Sequence, residues 1–88
     1  MPNKPRLTGK ARKATGLDQA VKAFHRAIGQ RVRAARHKGQ IGTIALGRAV
    51  GISQAQVSRL ENGLEGFRTG TLFRIAHALK MEPEDLLP

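Results

Sequence analysis

Between Ser53 and Asn62 the chain places Gln54, Gln56, Ser58 and Arg59 within six residues, with Val57 and Leu60 between and after them. On a helix, Val57 and Leu60 point inward, and the outward face carries Gln54, Ala55, Gln56, Ser58 and Arg59. These polar groups have a defined chemistry. A glutamine amide pairs bidentately with adenine N6 and N7, and an arginine fork with guanine O6 and N7. Each such pairing contributes roughly 1 to 3 kcal/mol of discrimination against the wrong base. On an isolated amphipathic helix the same residues would form only a solvated face, so the reading depends on what positions them.

The stretch TIALGRAVGISQAQVSRLENG, residues 43–63, reads as two short helices crossing steeply over a turn. The first is expected over Thr43 to Val50, and Gly51 ends it because glycine accepts the left-handed conformation. Ser53 caps the second, Gln54 to Glu61, which Asn62-Gly63 closes. Leu46, Val50, Ile52, Val57 and Leu60 are the apolar positions that lock the crossing, and Gly47 lies where the two helices come closest.

Upstream, Asp18 reads as an N-cap for a helix over about 19–38, with Val21, Phe24, Ile28, Val32 and Ala35 at spacings of three and four, a bend at Gly29 and a stop at Gly39. Downstream, residues 64–70 read as a loop. Thr69 or Thr71 caps a helix to about Lys80 with Leu72, Ile75, Ala76 and Leu79 inward, and Pro83 starts a last turn ending in Leu86 and Leu87. Nothing reads as a strand. The expectation is an all-α, five-helix domain over residues 18–88 behind a basic arm over residues 1–17.

IGQRVRAARHKG followed by LGRAVGISQAQVSRLENG, then IAHAL and a final DLL, resembles the lambdoid repressor and Cro family, also called Xre-type, over about Ile28 to Leu87. The resemblance implies a helix-turn-helix fold whose second helix lies in the major groove of duplex DNA, with Gln54, Gln56, Ser58 and Arg59 at the base-reading positions. Asn62 matches a backbone-contacting position, and Arg36 with Glu61 matches an ion pair that orients the motif. The sequence departs from the family at the first position of the leading helix. Thr43 stands there in place of the usual phosphate-gripping glutamine, followed by Ile44 and Ala45. Thr43 is still expected on the DNA backbone, as is Ser53 at the start of the reading helix, and Arg48, Arg68 and the arm are expected to make up the lost contact.

Charge points to the same partner. The net charge is +10, and its distribution is lopsided. Residues 1–38 hold eleven cations against Asp18 alone, whereas Arg48, Arg59, Arg68, Arg74 and Lys80 balance five acids from Gly39 onward. Such a field suits a polyanion, with Lys4, Arg6, Lys10, Arg12 and Lys13 as the arm's contribution. The chain has no cysteine, which excludes disulfides and thiolate metal sites. His25, His37 and His77 are scattered singly, without metal-ligand spacing. No nucleophile-base constellation is present and no apolar run is long enough to span a bilayer, so neither cofactor nor catalysis nor membrane insertion is expected, and the setting is cytoplasmic, at the nucleoid. The leading expectation is a sequence-specific regulator that binds a palindromic operator as a homodimer, with the fourth helix (to about Lys80), Met81 and the Leu86-Leu87 end as its contact surface. The alternatives are an antitoxin that also holds a toxin through the arm or the Ile41-Ile44 edge, and an adaptor for protein or RNA. The absence of Trp and Tyr argues against a base-stacking single-strand binder. Phe24 and Phe73 read as core or dimer-contact residues, and Phe67 has no assigned role.

Overall fold

The computed structural model describes residues 16–88. It contains α1 (Gly16–Lys38), α2 (Thr43–Val50), α3 (Gln54–Glu61) and α4 (Thr69–Ala78), then a single 3-10 turn, Pro83–Leu86. Among the described residues there is no strand, and no helix is long and apolar enough to cross a membrane. The expected fifth helix is this 3-10 turn: the four residues Pro83–Leu86, followed by an extended Leu87, leave no length for an α repeat. Residues 1–15, with Lys4, Arg6, Lys10, Arg12 and Lys13, lie outside the described residues.

One core joins all five elements. Ile28 and Val32 from α1 meet Leu46 and Val50 from α2, Val57 and Leu60 from α3, Ile75 and Ala76 from α4, and Leu86 from the turn. Leu86 is 0% exposed. It is therefore spent inside the monomer and is unavailable to the intermolecular surface expected at the C-terminal end.

α2 and α3 begin and end where the turn chemistry places them. Gly51 adopts φ +88°, and the Gly47 carbonyl accepts the amides of both Gly51 and Ile52, which folds the chain sharply toward Ser53. A Cβ on Gly47 would lie 2.6 Å from the Ile52 carbonyl oxygen. The constraint on Gly47 thus comes from the turn itself, and a single methyl already violates it.

The other helix ends differ from expectation. α1 starts at Gly16, so Asp18 lies not at the N-cap position but inside the first turn, where a carboxylate favours the positive end of the helix dipole. α4 starts at Thr69 with Arg68 as N-cap and no side-chain cap bond, so neither threonine caps it. At the far ends, Gln40 at φ 56° takes the left-handed position expected of Gly39 after α1, and Lys80 at φ 60° takes the same conformation after α4. Ile41 and Met81 then donate back to the Arg36 and Ala76 carbonyls and pack on the core.

α1 runs unbroken through Gly29. That residue marks contact rather than bending. A Cβ there would press on the carbonyl oxygen of Leu60 and stand 2.6 Å from that of Glu61, so glycine allows α1 and the end of α3 to touch backbone to backbone.

Candidate nucleic-acid interface

α3 is two-sided. Val57, Leu60 and Glu61 are buried, while Gln54, Ala55, Ser58 and Arg59 are exposed and Gln56 is half-buried. The polar residues do not stand alone, because most are held by a neighbour.

At the start of α3, the Ser53 hydroxyl accepts the Gln56 amide at 3.1 Å, and the Ser53 amide donates to Gln56 Oε1 at 3.2 Å. This reciprocal pair is a capping box, and Ser-x-x-Gln at positions 53–56 is its sequence signature. The Gln56 side-chain carbonyl, expected to face a base, is folded back onto the backbone. Gln54 Nε2 donates to Thr43 Oγ1 at 3.1 Å, which ties the first residue of α3 to the first residue of α2. Thr43 is short, yet it fills a positioning role by reaching the neighbouring helix.

At the end of α3, Arg59 donates to Glu65 Oε1 at 2.7 Å, both about half-exposed or less. Asn62 donates to the Ser58 carbonyl at 2.9 Å and accepts from Arg33 Nη2 at 3.3 Å. Arg33 also reaches Glu61 Oε1 at 3.4 Å. Arg36 grips the same carboxylate with two bonds, Nε to Oε2 at 2.7 Å and Nη2 to Oε1 at 2.9 Å, and gives Nη1 to the Ile41 carbonyl at 3.0 Å. Both partners are buried, Arg36 to 8% and Glu61 to 3% exposure. The hydrogen bond to Glu61 raises Arg36 above the ordinary arginine value, burial pulls against it, and the carboxylate's charge adds to it. Arg36 is therefore a cation throughout the neutral range.

Arg33 and Glu65 are the participants that sequence reasoning missed. Arg33 lies three residues before Arg36, on the neighbouring turn of α1, and Glu65 lies six residues beyond Arg59 across the Asn62-Gly63 turn. Arg48 is exposed on the last turn of α2 and joins none of these contacts. Arg68 lines a small cleft with Gln56, Leu60, Glu65 and Thr71, which sets the start of α4 beside α3.

Three helix starts therefore converge. Gln54 reaches α2's first residue, and the cleft lined by Gln56, Arg68 and Thr71 brings α4's start alongside. Gly42 and Arg68, the N-caps of α2 and α4, have no side-chain cap bond, so the first amides of those helices keep their donors for an outside acceptor. Aligned peptide dipoles make each helix start electropositive. Phosphates suit the flanks of this surface and base edges suit its centre. Among the described residues, no group of three or more His, Asp or Glu side chains could hold a metal ion.

Comparison with known proteins agrees with this geometry. Residues 31–88 match the model of the Cro/C1-type helix-turn-helix DNA-binding domain. An uncharacterized HTH-type transcriptional regulator of Sinorhizobium fredii, y4wC, is 38% identical over 56 residues, covering 64% of this chain. The chain spans only 39% of that relative's length. The P22 c2 repressor, solved in complex with a synthetic operator, is 35% identical, with a TM-score of 0.65 over 68% of this chain and 91% of that one. The restriction-modification controller protein C.AhdI of Aeromonas hydrophila is 26% identical, with a TM-score of 0.72 over 75% of this chain and 96% of its own.

Proposed function

This chain belongs to the Cro/C1-type helix-turn-helix DNA-binding family, and from that premise we propose that it is a sequence-specific regulator of transcription that reads duplex DNA with α3. The convergence of three helix starts around the exposed face of α3 carries this reading. Gln54, Ser58 and Arg59 face the bases, and Gln56 holds the start of the helix through its capping box. Thr43, Ser53, Asn62 and Arg68 serve the backbone, with the first amides of α2 and α4 beside them. Arg48 and the basic residues of the arm add charge from outside this cluster. The Arg36–Glu61 pair fixes the angle of α3 against α1, a task separate from net stabilisation because a buried pair must offset its own desolvation.

Two copies bind a palindromic operator, since one short helix recognises only a few base pairs. Action is by binding rather than catalysis, in the compartment that holds the chromosome. The operator complex of the P22 c2 repressor supports duplex DNA as the ligand.

Gel shifts with Gln54→Ala test the reading. The variant is expected to lose roughly 1 to 3 kcal/mol on the specific site and little on random duplex. An equal loss on both would remove Gln54 from base recognition. Affinity is also expected to fall steeply with salt, with a logarithmic slope of about −0.9 per phosphate neutralised.

A further inference from the structure

α1 extends beyond the fold it serves. Its first core residue is Ile28 and the family match begins at residue 31, yet the helix starts at Gly16. In the projecting part Leu17, Val21 and Phe24 are 74%, 45% and 46% exposed. Their spacings of four and three set them on one stripe that runs on into Ile28. The core-facing stripe of α1 thus continues past the core with nothing from this chain's described residues covering it, the pattern of an interaction surface.

Helical periodicity also fixes what borders the stripe. Ala20 and His25 stand at its edges, while Lys22 and Arg26 fall on the far side of the helix. A surface fitted to an acidic partner would carry cations around its rim, and here they are turned away. In a chain of net charge +10, this stripe is where a second copy approaches without bringing like charges together. The order of charges sets the direction. Residues 16–21 contain Asp18 and no cation, whereas residues 22–27 contain Lys22 and Arg26. Antiparallel pairing about a two-fold axis near Val21 lays the cation-free segment of each copy along residues 22–27 of the other. Lys22 and Arg26, on the outer faces, thus stay apart from their own counterparts, which parallel pairing would bring side by side.

We propose that Leu17, Val21 and Phe24 form an isologous, antiparallel α1–α1 contact between two copies of this chain. The contact rests on the two-copy reading above for its symmetry, and it is tested without DNA so that the two can fail separately. Sedimentation velocity of the full chain across the micromolar range is expected to show a reversible dimer. Phe24→Asp weakens it about a hundredfold, since each copy loses a buried ring, with helical circular dichroism unchanged. The chain has no cysteine, so single-cysteine variants report geometry directly. Val21→Cys crosslinks to its own copy under mild oxidation, and Gln19→Cys, on the far face, does not. Phe73→Asp on α4 leaves the dimer intact. A wild type that stays monomeric, a dimer that survives Phe24→Asp, equal crosslinking at both cysteines, or a dimer lost only in Phe73→Asp would each overturn the contact. A dimer with no affinity for duplex DNA would sink the regulator reading and leave this contact standing.

Discussion

Gly29→Ala sets two physical effects against each other. In a helix interior alanine is favoured over glycine by roughly 0.5 to 1 kcal/mol, so propensity alone makes the variant more stable than wild type. The structure requires the opposite sign. The added methyl presses on the Leu60 carbonyl oxygen and comes within 2.6 Å of the Glu61 oxygen and 2.8 Å of its carbonyl carbon, all of them backbone atoms that cannot swing aside. Forcing a methyl into packed structure costs about 1 to 3 kcal/mol, and backbone neighbours put this site at the upper end. The net expectation is a loss of about 1 to 2 kcal/mol. For a domain of this size that lowers Tm by about 5 to 15 °C. Gly16→Ala is the control, because nothing lies within 4 Å of its added methyl, and it is expected to be neutral or stabilising. Thermal denaturation followed by circular dichroism compares the three proteins. A Gly29→Ala variant as stable as Gly16→Ala would refute the backbone contact between α1 and α3.

Three further variants test how α3 is held. Glu61→Ala strands the buried Arg36 cation and is expected to cost about 3 to 5 kcal/mol in urea unfolding, while Arg36→Met combined with Glu61→Leu costs far less because no charge remains buried; equal losses would mean that the pair is not desolvated. Gln56→Ala removes half of the capping box, so it is expected to lower stability by about 0.5 to 2 kcal/mol and to weaken DNA binding evenly across operator variants. Loss of preference at a single base pair, with stability unchanged, would instead make Gln56 a reader.

The parts of the fold that a sequence declares are those with chemical punctuation. α2 and α3 match their expected limits because Gly51, Ser53 and Asn62-Gly63 each enforce one backbone conformation. The start of α4 had no such mark, since Arg68 is not a capping residue type and tertiary packing sets the boundary. Asp18 looks the same in one dimension whether it caps a helix or sits in its first turn. Gly29 reads as a weak point along a helix, and only the approach of α3 turns it into a contact. Inward positions such as Val57, Leu60 and Ile75 were legible from period alone, but Leu86, in a turn too short to show a period, was not, and the same period extended the core stripe to Val21 and Phe24, beyond the core that the other described elements build. In the site, residue types gave the face and missed the tethers. Arg33 and Glu65 act through distances that depend on how α1 and the loop return to α3.

The tethers on α3 bear on how such a protein changes its address. Exposed positions on a helix with a buried reverse face tolerate substitution at little cost in stability, within about 0.5 kcal/mol. Ala55 and Ser58 can therefore drift one at a time. Gln54 and Arg59 are joined to Thr43 and Glu65. A new residue at either position leaves its old partner pointing at nothing, or at the wrong charge. Descendants with altered operators are expected to carry paired replacements, 54 with 43 and 59 with 65. A library meant to retarget the protein gains more from varying those pairs together than from randomising α3 alone.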